Sequence, residues 1–305
     1  MSKIIVGVDE SPGSADAISL ASGLAGITGA ELLLVNVFPY DTRPSRAINR
    51  AFEDYLRRDS CELLERLRGE LGEETVEVKA VPNHSPAHGL HELAENVDAR
   101  LIVVGSTHTG RAGRVLPGST AERLLHGAPC PVAVAPKGYR ERRGREPGII
   151  GCGYDGSKSA QLALEAAHRM AAATESRLRV IRTFKPLAFD VPPGSVAEGG
   201  IAYNDSLRDR ASEELDAAVA QLEGEPRAEA FFAVGDPADI LTEASEDLDL
   251  LLVGSRGYGP LQAVVVGGVA GRVVREAACP VIVLPRRAGH VEEDSLFAEA
   301  ASVHG

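Results

Sequence analysis

The chain has 305 residues, of which 44% are hydrophobic and 25% are charged, and its formal net charge is −12 with an isoelectric point near 5.2. This length favours two domains over one, and the acidic balance argues against a nucleic-acid partner bound through its phosphates. The apolar runs are too short to cross a membrane or to form a signal peptide, so we expect a cytoplasmic protein with neither membrane nor nucleic acid as a partner.

Short apolar strands alternate with helical segments in the first half of the chain. A strand at Ile4–Val8 ends at Asp9, and the helix that follows is expected to use Ser11 as its N-cap and Pro12 in its first turn. This alternation predicts a parallel sheet with right-handed crossovers. Further strands are expected at Glu31–Phe38, Thr75–Val81, Leu101–Gly105 and Val132–Ala135, and further helices at Ala47–Leu71 and Ala87–Asn96.

The second half repeats the first. Asp9 and Asp155 are 146 residues apart, and Cys130 and Cys279 are 149 residues apart, so the offset is nearly constant along the chain. A constant offset of this kind indicates one domain that has been duplicated. The corresponding strands are expected at Ile149–Tyr154, Arg177–Phe184, Arg227–Val234, Leu250–Gly254 and Val281–Leu284, with helices from Ser157, at Glu198–Leu222 and at Ala238–Glu246.

The predicted fold class is α/β, with two repeated Rossmann-like domains that each contain an open five-stranded parallel sheet with helices on both faces. The domains are expected at 1–137 and 148–288, joined by an exposed, charged linker at 138–147 and followed by a mobile acidic tail at 289–305. Ligands of such sheets bind beyond the carboxyl ends of the strands, where the strand order reverses. Each half therefore has one expected crevice.

A glycine-rich loop follows the fourth strand of each half. The stretch Leu101–Pro136 reads LIVVGSTHTGRAGRVLPGSTAERLLHGAPCPVAVAP, and Leu250–Pro285 reads LLLVGSRGYGPLQAVVVGGVAGRVVREAACPVIVLP. Glycines let backbone N–H groups approach an anion closely, and the free N–H groups at a helix start favour negative charge. Each half is therefore expected to contain an anion site, with nucleotide phosphate as the expected ligand.

In the order of its elements and in these loops, the chain resembles the universal stress protein family in its tandem form, from Lys3 to Pro285. The nucleotide-binding branch of that family carries Gly, two residues, Gly, nine residues, Gly, and then Ser or Thr. The first half matches this pattern at Gly105, Gly118 and Ser119. It departs at His108, which occupies the second glycine position and whose ring could instead donate a hydrogen bond to phosphate.

The second half departs from the same pattern at a different position. Its glycines at Gly254, Gly257 and Gly267 all match, but Gly268 stands where the family has Ser or Thr. Gly268 removes a hydroxyl donor and keeps the backbone N–H, so nucleotide binding there is expected to be weakened and not abolished. The sequence leaves open which half binds.

The resemblance implies that at least one half binds ATP or a related adenine nucleotide, together with Mg²⁺ where ATP is bound. Asp9 and Asp155 would approach the ribose or the adenine, and Val37 would offer backbone contacts to the base. Thr183 is the second-half counterpart of Val37, and Thr120 belongs to the helix start that follows the first glycine loop.

The implied role is a stress-response switch or signalling protein, in which ATP occupancy sets a conformation that an unidentified protein partner reads. An interaction protein of the same fold that does not bind nucleotide remains open as the alternative. The last strand makes the dimer contact in this family, which implies that the two halves pack as an internal pseudo-dimer. A further homodimer of the whole chain is also left open.

Other kinds of site have less support. An adenine-nucleotide hydrolase of this fold would need a Ser-Gly-Gly type loop after the first strand, and the residues after Asp9 and Asp155 lack it. His84, His88 and His91 are spaced for one side of a helix, but no carboxylate completes a metal set, so no metal is expected. Neither a GxSxG elbow nor a P-loop is present, so no catalytic residue is assigned and any ATPase activity is expected to be weak.

Overall fold

The computed structural model describes residues 2–39, 50–72, 76–106, 115, 118–142, 144–187, 198–255 and 268–285. Within these ranges, ten strands form one continuous sheet with helices on both faces. Two clusters of buried apolar side chains, one on each face, run through both halves of the chain. The predicted α/β class with two repeated domains is confirmed.

The described residues of the first half form five strands and four helices. Strand β4 is a run of Leu, Ile and Val that is buried on both faces, as expected for a parallel sheet covered by helices. The strands are β1 Lys3–Gly7, β2 Glu31–Phe38, β3 Glu77–Pro82, β4 Leu101–Gly105 and β5 Val132–Ala135, and the helices are α1 Gly13–Thr28, α2 Arg50–Leu71, α3 Pro86–Asn96 and α4 Ser119–Leu125.

The second half repeats this series, and its elements begin and end within about two residues of the predicted positions. Among the helices of both halves that the structure describes, none combines the length and apolar character that a bilayer crossing requires. The strands are β6 Ile149–Gly153, β7 Arg177–Phe184, β8 Ala228–Val234, β9 Leu250–Gly254 and β10 Val281–Leu284, and the helices are α5 Lys158–Ala173, α6 Glu198–Ala220, α7 Pro237–Ala244 and α8 Gly268–Glu276.

The two predicted serine caps had different outcomes. Ser157 caps α5 as expected, because its hydroxyl accepts the N–H of Ala160 at 3.2 Å. The prediction for Ser11 was wrong. Pro12 occupies the cap position of α1 in a helical conformation, with no side-chain cap, and α1 begins at Gly13. The serine therefore precedes the cap by one residue and its hydroxyl does not cap the helix.

The strands follow the order β3-β2-β1-β4-β5-β10-β9-β6-β7-β8. All neighbouring strands are parallel except β5 and β10, which pair antiparallel with Val132 opposite Val283. This pairing joins the halves through their last strands, the arrangement that the family resemblance implied. It also inverts one half relative to the other, so the carboxyl ends of their strands point to opposite edges of the sheet.

The segment between the halves is held at both ends. It contains a short 3-10 helix at Tyr139–Arg142. The carboxylate of Asp16 in α1 is 2% exposed and accepts the backbone N–H groups of Gly138 and Arg140, each at 2.9 Å. Arg142 lies 3.4 Å from Asp249, just before β9. The segment is charged and largely exposed, and it is anchored to both halves.

Candidate functional site

The strand order reverses between β1 and β4 in the first half and between β6 and β9 in the second. A cleft opens at the carboxyl ends of the strands at each reversal, as expected for ligand sites in this kind of sheet. The first cleft has a volume of about 170 Å³, and the second cleft has a volume of about 550 Å³. Only the second falls in the range of about 300 to 1,000 Å³ that is usual for small-molecule sites.

The second cleft has an apolar wall and a polar end. Ile181, Leu241 and Val253 form part of the apolar wall. The polar end includes the loop after β6, where the carboxylate of Asp155 accepts the N–H of Ser157 at 2.9 Å. Four residues that the sequence predicted for nucleotide contact line this cleft: Asp155, Thr183, Gly254 and Gly268.

An arginine and a tyrosine also line the second cleft. The guanidinium of Arg182 donates to Glu214 of α6 at 2.6 Å and lies 5.8 Å from the ring centre of Tyr154. The Arg182 side chain is 12% exposed and the Glu214 side chain is 40% exposed, so this ion pair is only partly shielded from water. Burial raises the pKa of Tyr154, which stays a neutral hydroxyl at physiological pH. One nitrogen of Arg182 is therefore paired with Glu214, whereas its Nε and Nη1 are buried without a hydrogen-bond partner among the described residues.

A second arginine, Arg272, lies between α7 and α8 at the edge of the second cleft. Arg272 in α8 pairs with Asp236 at 3.2 Å, with Asp239, and with Glu276 at 3.5 Å. Burial lowers the pKa of Arg272, but the three carboxylates outweigh it and the net shift is upward. The hydrogen bond from Lys185 lowers the pKa of Asp236, so this carboxylate is ionised at neutral pH.

The polar groups of the first cleft mostly bond to one another. Asp9 accepts the N–H of Ser11 at 2.8 Å and the hydroxyl of Ser14 at 3.0 Å. Asn36 donates to the carbonyl oxygen of Val8 at 2.8 Å. Ser119 begins α4 with an exposed side chain and is not among the residues that line this cleft. Five predicted residues do line it: Asp9, Val37, Gly105, Gly118 and Thr120.

The sequence comparisons identify the family. The model of the Universal stress protein family matches residues 1–136 and 148–285. The chain belongs to the universal stress protein family. A universal stress protein of Mycobacterium tuberculosis is 31% identical over 224 residues, which are 67% of this chain and 72% of that protein. Another from the same organism is 28% identical over 299 residues, which are 92% of this chain and 95% of that one.

A solved structure supports the same assignment at the level of the fold. The crystal structure of a universal stress protein from Archaeoglobus fulgidus is 19% identical to this chain, with a TM-score of 0.64. The match covers 93% of this chain and 98% of that one. The two family matches along one polypeptide confirm the predicted tandem form.

The first glycine of the family motif is required by packing in both halves. A Cβ at Gly105 would lie 2.1 Å from the carbonyl oxygen of Gly13, and a Cβ at Gly254 would lie 2.7 Å from the backbone nitrogen of Ala160. Gly268 differs, because a Cβ there would meet nothing within 4 Å. The remaining predicted motif residues, His108, Gly257 and Gly267, lie outside the described residues.

Sequence reasoning missed four polar residues that line the second cleft: Tyr154, Arg182, Asp236 and Arg272. For two of them the sequence contains a feature that could have indicated the position. Arg182 lies near the carboxyl end of β7, where a ligand of such a sheet is expected, and Asp236 followed by Pro237 is a typical helix start. The sequence contains no cue that would bring Arg272 to Asp236, because that contact depends on how α7 and α8 pack.

The histidines of α3 pair with carboxylates on their own helix. His88 lies 3.1 Å from Glu92, and His91 lies 3.4 Å from Glu95. In the ranges that the structure describes, no group of three or more His, Cys, Asp or Glu side chains is arranged to hold a metal ion. The spacing of these histidines is accounted for by exposed pairs one helical turn apart.

Proposed function

We propose that this universal stress protein binds an adenine nucleotide, ATP with Mg²⁺, in the second cleft and acts as a stress-response switch whose occupancy is read by a protein partner. The observation that carries the proposal is the size and position of that cleft. Its volume of about 550 Å³ suits a nucleotide, and it opens at the point where the strand order reverses.

The lining of the second cleft supports an adenine nucleotide in particular. Asp155 provides a carboxylate that can accept from ribose hydroxyls or from the adenine amino group, and the strand end at Thr183 provides backbone groups for the edge of the base. The apolar wall suits the face of a purine. Gly268 opens α8, so its backbone N–H and the helix dipole favour a phosphate.

We assign the second cleft to binding and not to rapid hydrolysis. A general base needs a free acceptor within reach of a water molecule. In this proposal the Asp155 carboxylate binds the ribose or the base, and Asp236 is paired with both Lys185 and Arg272. Occupancy, rather than turnover, is therefore the property that a partner would sense.

The first half fits the alternative function, an interaction surface that does not bind nucleotide. Its cleft is about 170 Å³, which is below the range for a nucleotide. Asp9 accepts two hydrogen bonds from its own loop, from Ser11 and Ser14. In this proposal the first domain supports the second through the β5–β10 pairing and does not act as an equivalent site.

Calorimetric titration with ATP, GTP and adenosine tests the assignment. Asp155→Asn keeps an oxygen that can accept the Ser157 N–H and removes the charge, so the variant should stay folded. We expect ATP and adenosine to bind the wild type more tightly than GTP, and Asp155→Asn to weaken both roughly ten-fold. Asp9→Asn, the matched change in the first half, should leave binding unchanged. Binding lost in Asp9→Asn alone, or no ATP binding at millimolar concentration, would exclude the proposed site.

A further inference from the structure

We infer that Arg272 recognises the nucleotide phosphates in the second cleft. Before the nucleotide binds, Arg272 is paired with Asp236 and Asp239, and the phosphates must displace these two carboxylates. We call this pairing the latch. This inference rests on the proposed function and adds a specificity-determining residue to it. It assigns phosphate recognition in this half to a side chain as well as to the backbone of the glycine loop.

The two arginines that line the second cleft differ in how free they are to reach a ligand. Arg182 has a side chain only 12% exposed, pairs with Glu214 on α6 through one nitrogen, and keeps its other two guanidinium nitrogens buried. Arg272 has a side chain 37% exposed and lies one helical turn after Gly268, where α8 begins. Of the cations that line this cleft among the described residues, Arg272 is therefore the one placed to meet an anion bound at the start of α8.

All three nitrogens of the Arg272 guanidinium face carboxylates. One contacts Asp236 at 3.2 Å, the second contacts Asp239, and the third lies 3.5 Å from Glu276. The three carboxylates carry one more charge than Arg272 and Lys185, the second cation paired with Asp236, so the group is net negative and repels a phosphate until the arginine exchanges partners. The pairing thus holds the Arg272 guanidinium beside the cleft and also disfavours the binding of anionic ligands.

The latch is weak enough to open. Asp239 is 62% exposed and Asp236 is 29% exposed, and ion pairs in contact with water contribute little to stability. An arginine can bind a phosphate through two parallel charge-assisted hydrogen bonds, whereas Asp236, Asp239 and Glu276 each contact a different nitrogen of Arg272. Exchange of a carboxylate for a phosphate therefore favours the ligand with more phosphate groups.

The first half lacks this latch, although it has the arginine. Arg123 lies 149 residues before Arg272 and is exposed on α4. Aligning the two helix starts at Pro86 and Pro237 places Ser85 and His88 where the second half has its two aspartates. The carboxylates that hold the arginine are therefore a feature of the half with the larger cleft.

Calorimetry with ATP and with adenosine on four variants tests the inference. Arg272→Met removes the cation, and Arg275→Met is the matched control, because Arg275 is exposed on the same helix and does not line the cleft. Asp239→Asn and Asp236→Asn loosen the latch. Asn can still cap α7 as Asp236 does, by accepting the N–H of Ala238.

We expect Arg272→Met to weaken ATP at least ten-fold and adenosine less than two-fold, with Arg275→Met at the wild-type value. Each Asp→Asn variant should tighten ATP about three-fold, because it frees the arginine and removes a repulsive charge. The inference is overturned if Arg272→Met binds ATP like Arg275→Met, if adenosine weakens as much as ATP, or if the Asp→Asn variants bind ATP no more tightly.

The outcomes also separate this inference from the proposed function. If adenosine and ATP bind the wild type and Arg272→Met changes neither affinity, the proposed nucleotide site stands and the latch is refuted. If ATP binds neither the wild type nor Asp239→Asn, both the proposed function and this inference are refuted. Circular dichroism checks that each variant is folded, and the Asp239→Asn measurement decides the question if Arg272→Met does not fold.

Discussion

Gly105 and Gly13 approach so closely that a Cβ on Gly105 would lie 2.1 Å from the Gly13 carbonyl oxygen. This contact seats the start of α1 on the end of β4, and both elements line the first cleft. The second half repeats the approach between Gly254 and the backbone of Ser159 and Ala160. The leading glycine of the motif therefore shapes each cleft by helix–strand packing before any ligand is considered.

Gly105→Ala and Gly254→Ala are expected to destabilise the protein by about 3 kcal/mol each, because the new methyl group overlaps backbone that cannot rotate away. Gly23→Ala in α1 is the control, since a Cβ there would meet nothing within 4 Å, and it should stabilise by about 0.5 to 1 kcal/mol. Urea unfolding measures the difference. If Gly105→Ala unfolds at the same urea concentration as Gly23→Ala, the close-packing account is wrong.

Asp16→Ala is expected to cost about 2 to 4 kcal/mol of unfolding free energy, because a buried carboxylate that accepts two backbone N–H groups is removed. It should also release the linker, so that trypsin cleaves after Arg142 faster than in the wild type. Asp216→Ala, an exposed aspartate on α6, serves as the control.

Gel analysis of the trypsin digest over time gives the second readout for Asp16. Two fragments that meet near residue 142 should accumulate in Asp16→Ala well before they do in Asp216→Ala. Equal cleavage rates would mean that the Asp16 carboxylate does not anchor the linker, whatever the effect on stability.

One thiol per native chain is expected to react quickly with Ellman's reagent. Cys61 is exposed, whereas burial raises the pKa of Cys130 to about 12 and raises the pKa values of Cys152 and Cys279 as well. Buried thiols that stay protonated do not act as nucleophiles. Cys61→Ser should abolish the fast phase, and four thiols should react after denaturation of the wild type. A fast phase that persists in Cys61→Ser would show that a buried cysteine becomes accessible.

The fold could be predicted from the sequence because the local hydrophobic pattern and the internal repeat both indicate two copies of one α/β domain. The near-constant offset between Asp9 and Asp155, and between Cys130 and Cys279, fixed the duplication without any knowledge of contacts. The apolar runs that form β4 and β9 are short, uninterrupted and bounded by glycine, so their strands were predicted to within a residue.

The details that sequence reasoning missed depend on residues far apart in the chain. Asp16 lies on α1, and its carboxylate is buried because the linker 122 residues later closes over it. Arg272 meets Asp236 only because α7 and α8 pack together. The cap at Ser11 was mispredicted for a local reason, since Pro12 already has helical dihedral angles and holds the cap position itself.

Titration of ATP into the wild type, Gly268→Asp and Gly118→Asp tests most directly whether the second half carries the nucleotide site. Aspartate at Gly268 places a carboxylate in open space at the start of α8, where it repels a phosphate, and Gly118 lines the first cleft with φ near −74°, which any residue can adopt. We predict one ATP per chain, loss of binding in Gly268→Asp, and binding within two-fold of wild type in Gly118→Asp. Loss in Gly118→Asp alone, or no effect of Gly268→Asp, would contradict the assignment of ATP to the second cleft.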